Sequence, residues 1–211
     1  KRHNIDYVLV HTGQHYDKQL SKLFFRDLKI PKPNINLEVG SGSHALQTGE
    51  VMVRFEKILH QIKPDLVVVV GDVNSTLACA LTAKKLGIRV AHVEAGLRSF
   101  DMSMPEEINR VMTDRIADFL FTTEETANKN LIHEGIEKGK IFFVGNVMID
   151  TLMRLLPKAK LPKIPNLQKD YVLVTLHRPS NVDDSKKLKK ILNALQTVSK
   201  KIQVIFPIHP R

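Results

Sequence analysis

A chain of 211 residues that is 43% hydrophobic has the apolar supply for a folded core, and the lack of any run of eighteen apolar residues points away from a membrane. The net charge of +10 comes largely from lysines set between apolar residues at helical spacing, as in "DDSKKLKKILNALQTVSKK"; with aromatics at 6% and no Trp, a solvated helix face or attraction of a small anionic substrate explains it better than nucleic acid does. The one cysteine, Cys79, excludes an internal disulfide and a multi-cysteine zinc site, and reads as a small buried thiol of a protein in a reducing compartment, the cytoplasm.

The first residues, "KRHNIDYVLV", hold no initiator Met and no signal-peptide core, so the chain reads as cut from a longer one. Apolar, β-branched runs at 5–13, 66–72, 89–96, 118–125 and 140–146 predict strands. Between them "SKLFFRDLKI", "GEVMVRFEKILHQIK", "STLACALTAKKLG", "EEINRVMTDRIA" and "TANKNLIHEGI" carry helical periodicity. Such alternation predicts an α/β fold of βαβ units, with parallel sheets and helices on both faces. Residues 1–155 form the first Rossmann-like domain on this reading. The stretch "LPKAKLPKIPNLQKD" (156–170), with three prolines and four lysines, reads as a linker. Two more strands, opening "YVLVTLHRPS" and "QVIFPIHPR", flank the lysine-rich helix, so 171–211 reads as the beginning of a second α/β domain, broken off too early to bury a core of its own.

Each strand delivers a polar cluster at its carboxyl end: "HTGQH" (11–15), "GD" (71–72), "HVEAGLR" (92–98), "TTEE" (122–125), "GN" (145–146), "HR" (177–178) and "HPR" (209–211). In open parallel sheets those ends share one edge, and ligands bind in the crevice there. Asp72 would stand at that rim, although Asp72, Asn74 or Ser75 would also serve as the N-cap of the following helix. Glu94, inside an apolar run, costs free energy unless paired or protonated; Arg98, four residues on, is the nearby structural partner, and a half-buried carboxyl also suits acid/base work. In "MPEEINR" (104–110), Pro105 and the glutamates make a good helix start, and Glu106 with Arg110 has i,i+4 ion-pair spacing. His177 and Arg178 before a helix, repeated by His209 and Arg211, suit an anion. No metal-ligand spacing and no G-x-G-x-x-G appear, so neither a metal nor a nicotinamide cofactor is expected.

In this order "GDVNST", "HVEAGLRSFDMSMPEEINR", "VGNVMIDTL" and "TLHRPSNVDD" closely resemble the non-hydrolysing UDP-N-acetylglucosamine 2-epimerases, over essentially the whole chain. The resemblance implies two Rossmann-like domains of GT-B type, the first here lacking its first strand and the second truncated, and usually a homodimer. It implies interconversion of UDP-GlcNAc and UDP-ManNAc without a cofactor, by loss of the C2 proton and of UDP to a 2-acetamidoglucal, followed by re-addition. Asp72, Glu94 and Glu106 match the family's acid/base carboxylates, and Arg110 and His177 match residues that stabilise departing UDP. Arg98, Arg178 and His209 are further candidate substrate contacts. "TGQHYD" keeps Gln14 and His15 but has Tyr16 and Asp17 where many bacterial relatives bind a second, activating UDP-GlcNAc, so activation by substrate is not carried over. The fragment alone is expected to be inactive. Competing readings are an epimerase of a related UDP-sugar such as a diacetamido uronate, a hydrolysing 2-epimerase, and a non-catalytic nucleotide-sugar-binding protein.

Overall fold

The structure is a computed structural model that describes residues 5–13, 28–160, 162–176 and 179–208. It divides into two compact units, Lys1–Lys158 and Ala159–Arg211, so the division falls at the start of the proline- and lysine-rich stretch. The first unit opens with β1 (Val10–His11) and β2 (Ile35–Asn36), which pair in parallel as a small sheet of their own. Then come α1 (His44–Ile62), β3 (Leu66–Val70), α2 (Asn74–Lys85), β4 (Arg89–Ala95), α3 (Pro105–Ile116), β5 (Phe119–Thr122), α4 (Glu125–His133), β6 (Ile141–Phe143) and α5 (Val147–Leu155). Strands β3 to β6 form one parallel sheet in sequence order. The second unit holds β7 (Tyr171–Leu173), the short α6 (Pro179–Val182), α7 (Ser185–Ser199) and β8 (Gln203–Ile205), with β7 and β8 parallel.

Local chemistry explains the boundaries. Ser43 caps α1 by accepting from Leu46 N–H, and the helix ends on Lys63 in the left-handed region. Pro105 stands in the first turn of α3, where its missing N–H costs nothing, and Glu106 and Glu107 meet the positive end of the helix dipole. Asp184 caps α7 through the amides of Lys186 and Lys187. The core packs Val51, Phe55 and Leu59 of α1 and Ala78, Ala80 and Ala83 of α2 against Val67, Val69, Val90 and Leu120 of the sheet. The central strand β4 is buried from Val90 through His92, whereas β3 buries only Val67 and Val69.

The strand β1 and the elements β2 and α5 depart from the pattern expected of the sequence. Of the run 5–13 only Val10 and His11 form a strand, and among the described residues they pair only with β2, itself two residues long. Neither β2 nor α5 was foreseen: "IN" is too short for periodicity, and the apolar face of α5, with Met148, Ile149, Leu152 and Met153, is exposed. The helix expected over 21–30 falls mostly outside the described residues.

Candidate active site

The carboxyl ends of β3 and β4 carry the site. After Val70 the chain turns at Gly71, whose φ of +73° is open to glycine and whose N–H donates to Val93 C=O at 3.1 Å. Thr76 Oγ1 holds the same turn by donating to Val70 C=O at 2.8 Å. The N-cap position of α2 falls on Val73, which makes no side-chain cap bond, so the capping role open to Asp72, Asn74 or Ser75 is not how this helix starts. The carboxamide of Asn74 is instead buried, donating to Gln47 at 2.9 Å. Asp72 turns its carboxylate the other way, where Arg110 Nη2 donates to Oδ2 at 2.5 Å.

At the end of β4 the ladder to β5 slips between Val93 and Ala95, which makes Glu94 a bulge residue, and its φ is +68°. Such a conformation is strained for a residue with a side chain and persists only where its surroundings impose it. The bulge brings the Glu94 carboxylate beside Gly71: a Cβ placed on that glycine would lie 3.7 Å from Glu94 Oε2. Arg110 Nη1 donates to the Glu94 carbonyl, so one guanidinium joins the Asp72 carboxylate to the Glu94 backbone. The expected pairing of Arg98 with Glu94 does not form. Arg98 meets Asp114 at 2.7 Å and Glu134 at 2.7 Å with its side chain 1% exposed. Burial works to lower its pKa, but these two carboxylates outweigh that and raise it above the ordinary arginine value.

Helix α3 supplies the remaining wall. Glu106 is exposed, whereas Glu107 is buried and accepts from Ser99 N–H, Ser99 Oγ–H and Phe100 N–H at 2.9 to 3.0 Å. The i,i+4 pair of Glu106 with Arg110 is likewise replaced: Arg110, 7% exposed, points inward, and a buried cation gains more from the nearby Asp72 than from a solvated glutamate. Asp72, Arg98, Ser99, Phe100, Glu106 and Arg110 are among the residues lining a cavity of about 250 Å³. Asp72, Glu94, Glu106 and Arg110 are thus brought to one place from three elements.

Residues 1–211 match the protein family described as UDP-N-acetylglucosamine 2-epimerase. The chain belongs to that family. It is 52% identical over its whole length to a UDP-N-acetylglucosamine 2-epimerase homolog of Methanococcus maripaludis, of which it covers 60%. It is 44% identical, over 97% of its length, to the UDP-2,3-diacetamido-2,3-dideoxy-D-glucuronate 2-epimerase of Pseudomonas aeruginosa, of which it covers 58%. Among solved structures, the UDP-GlcNAc 2-epimerase of Methanocaldococcus jannaschii in complex with UDP-GlcNAc and UDP superimposes with a TM-score of 0.89 at 48% identity, over 100% of this chain and 60% of that one. The chain therefore spans about 60% of the length of these relatives.

For this epimerase-family chain, sequence reasoning held His92 only as the first residue of the polar cluster 92–98, with no role of its own, and did not name Asp114. Both are fully buried, and His92 Nδ1 lies 2.7 Å from Asp114 Oδ1. The one available signal was a histidine inside the apolar run "RVAHVEA". It also missed a ladder of amides: Asn109 Nδ2 donates to Asp72 C=O at 2.9 Å and approaches Asn74 Oδ1 at 3.3 Å, and Asn74 in turn donates to Gln47. Cys79 is buried as expected, and burial pushes its thiol up to about 12, away from reactivity. Among the described residues no cluster of three His, Cys, Asp or Glu could hold a metal, and no helix is long and apolar enough to cross a membrane. Gln14, His15, His177, Arg178 and His209 lie outside the described residues.

Proposed function

We propose that the full-length protein epimerises UDP-N-acetylglucosamine to UDP-N-acetylmannosamine at C2, and that this chain supplies its acid/base carboxylates. The observation that carries the reading is the guanidinium of Arg110, which ties the Asp72 carboxylate to the Glu94 backbone beside a cavity that Glu106 lines. Inverting C2 requires a base to take the proton from one face and an acid to return it to the other, and a cluster of carboxylates meets that need. The C2–H electrons form the C1=C2 bond, the C1–O bond breaks with its electrons passing to UDP, and the 2-acetamidoglucal then takes UDP and a proton back. Asp72, Glu94 and Glu106 share the proton transfers without individual assignment.

The departing diphosphate is anionic. The positive first turn of α2, which has neither a side-chain cap nor an acidic residue, lies at this edge and favours it. By resemblance, Arg110 and His177 stabilise the departing UDP, and Arg178, His209, Gln14 and His15 are carried over from the sequence as candidate substrate contacts, whereas Arg98 spends its donors on Asp114 and Glu134 and supports the site from within. We place the enzyme in the cytoplasm as a homodimer that uses no cofactor. A second reading, a related 2-acetamido UDP-sugar as substrate, is favoured by the 44% identity to the diacetamido-glucuronate epimerase.

Proton NMR of the full-length protein with UDP-GlcNAc in D2O tests the proposal. Deuterium entering C2 as UDP-ManNAc appears is the expected result. Free N-acetylmannosamine with UDP would replace it by hydrolysis, and exchange only with the diacetamido uronate would move the substrate. No exchange with either sugar would refute catalysis at C2.

A further inference from the structure

Beneath the carboxylates lies a buried pair that the proposed chemistry does not use. The side chains of His92 and Asp114 are 0% and 1% exposed. His92 Nε2 donates to Gly71 C=O at 2.8 Å, since a carbonyl can only accept, and a proton lies between Nδ1 and Asp114 Oδ1. The other oxygen of Asp114 accepts from Gly96 N–H at 3.0 Å and pairs with Arg98 at 2.7 Å. One end of the pair therefore grips the backbone one residue before Asp72, and the other grips it two residues after Glu94.

We propose that His92 and Asp114 are positioning residues, which hold the Gly71–Asp72 turn and the Glu94 bulge at a fixed separation for the C2 proton transfers. The inference rests on the epimerase reading above. Both gripped residues are glycines in the left-handed region, with φ of +73° and +79°, where the backbone has little preference of its own. Glu94, between them in sequence and strained at +68°, needs an outside hold to stay there. The plane of the Gly71–Asp72 peptide sets the direction in which the Asp72 side chain leaves the backbone. His92 fixes that plane from one side, and Asn109, donating to Asp72 C=O, fixes the next peptide from the other. Burying such a pair is costly, and an apolar pair of equal volume would stabilise the fold as well or better. Orientation of the two glycine turns is what the polar pair adds and an apolar pair would not.

Asparagine and glutamine at position 92 separate the two contacts, because Asn ends where Nδ1 lies and keeps a donor for Asp114, whereas Gln reaches to the place of Nε2 and Gly71. In the full-length protein, His92→Asn is expected to lower kcat for C2 exchange about 100-fold, the loss that a displacement of about 1 Å produces. KM and UDP affinity by calorimetry should stay within about threefold, because ground-state binding does not depend on this alignment. His92→Gln should recover kcat to within about tenfold of wild type on the same grounds. Equal kcat in the two variants, or a loss confined to KM, would overturn the inference. So would a failure to fold of His92→Asn, alone or together with His92→Gln, since the bond would then serve stability only. If the wild-type protein shows no C2 exchange, the epimerase reading falls by itself. The 13C resonance of the Gly71 carbonyl then decides the hold without activity: a shift in His92→Asn that His92→Gln reverses supports it, and an unmoved resonance refutes it.

Discussion

The floor and the rim of the candidate site are built differently. On the floor, Arg110, Asp114, Arg98 and His92 are buried, and each makes at least two polar contacts with protein. At the rim, Glu106 and Phe100 are exposed, and Phe100 shows 78% of its surface. Floor side chains spend their hydrogen bonds on protein partners and so fix geometry, whereas Glu106 lines the cavity from an exposed position. Substitutions should separate the two roles. Asp72→Asn and Glu106→Gln are both expected to lower kcat by about 100-fold or more, the usual worth of a general acid or base. Only Asp72→Asn should also destabilise the fold, by about 1–2 kcal/mol, because it leaves the buried Arg110 without its counter-charge, with water reaching the site where Asp72 is 32% exposed. Turnover assays paired with denaturant unfolding make the comparison. Equal stability of the two variants would erase the distinction, and unchanged turnover in either would remove that residue from the chemistry.

The rim was legible in the sequence and the floor was not. Strands ending in polar residues announce a ligand edge because the side-chain pattern is local, and Asp72 and Glu94 were singled out in that way, whereas Glu106, at a helix start, was singled out through the family resemblance. Pairing across the fold is not local. Arg98 and Arg110 each stand four residues after a glutamate, so spacing assigned them to Glu94 and Glu106, yet both reach carboxylates at least sixteen positions away, Asp114 from Arg98 and Asp72 from Arg110. The bulge at Glu94 was hidden for the same reason, since a register slip is a relation between β4 and β5 and leaves no mark on either strand alone.

Gly96 offers the next break, on the floor side. A Cβ there would lie 2.6 Å from the carbonyl oxygen of Ala127 in α4, a backbone atom that cannot swing aside, and the φ of +79° disfavours any side chain. Gly96→Ala is expected to cost on the order of 2–4 kcal/mol of stability, read from the denaturation midpoint, as α4 is pushed from the strand end. Gly87, also at positive φ but with open space around it, gives the control: Gly87→Ala carries the conformational cost alone and should lose about 1 kcal/mol. Equal losses at the two positions would show that close approach to α4 is not what glycine serves at 96.

The smallest expected effect lies away from both regions, at the opposite end of the sheet. Asp118 accepts from Lys84 Nζ at 2.8 and 2.9 Å and from Val90 N–H at 2.8 Å. Burial works to raise its pKa, but the bond from Lys84, with Val90 N–H, prevails and holds the carboxyl below its ordinary value. A carboxyl whose folded pKa is depressed stabilises the protein fully above the unfolded value of about 3.9, and that contribution disappears as the pH falls through the lower folded value. The pair is partly exposed, with side-chain exposures of 32% and 29%, so its contribution at neutral pH is about 1 kcal/mol or less. Asp118→Asn should therefore lower Tm slightly at pH 7 and converge with wild type as the carboxyl becomes protonated. A difference that persisted unchanged into acid would mean that packing around Asp118, and not its charge, sets the effect. The floor of the site would then have no electrostatic counterpart at the far end of the sheet.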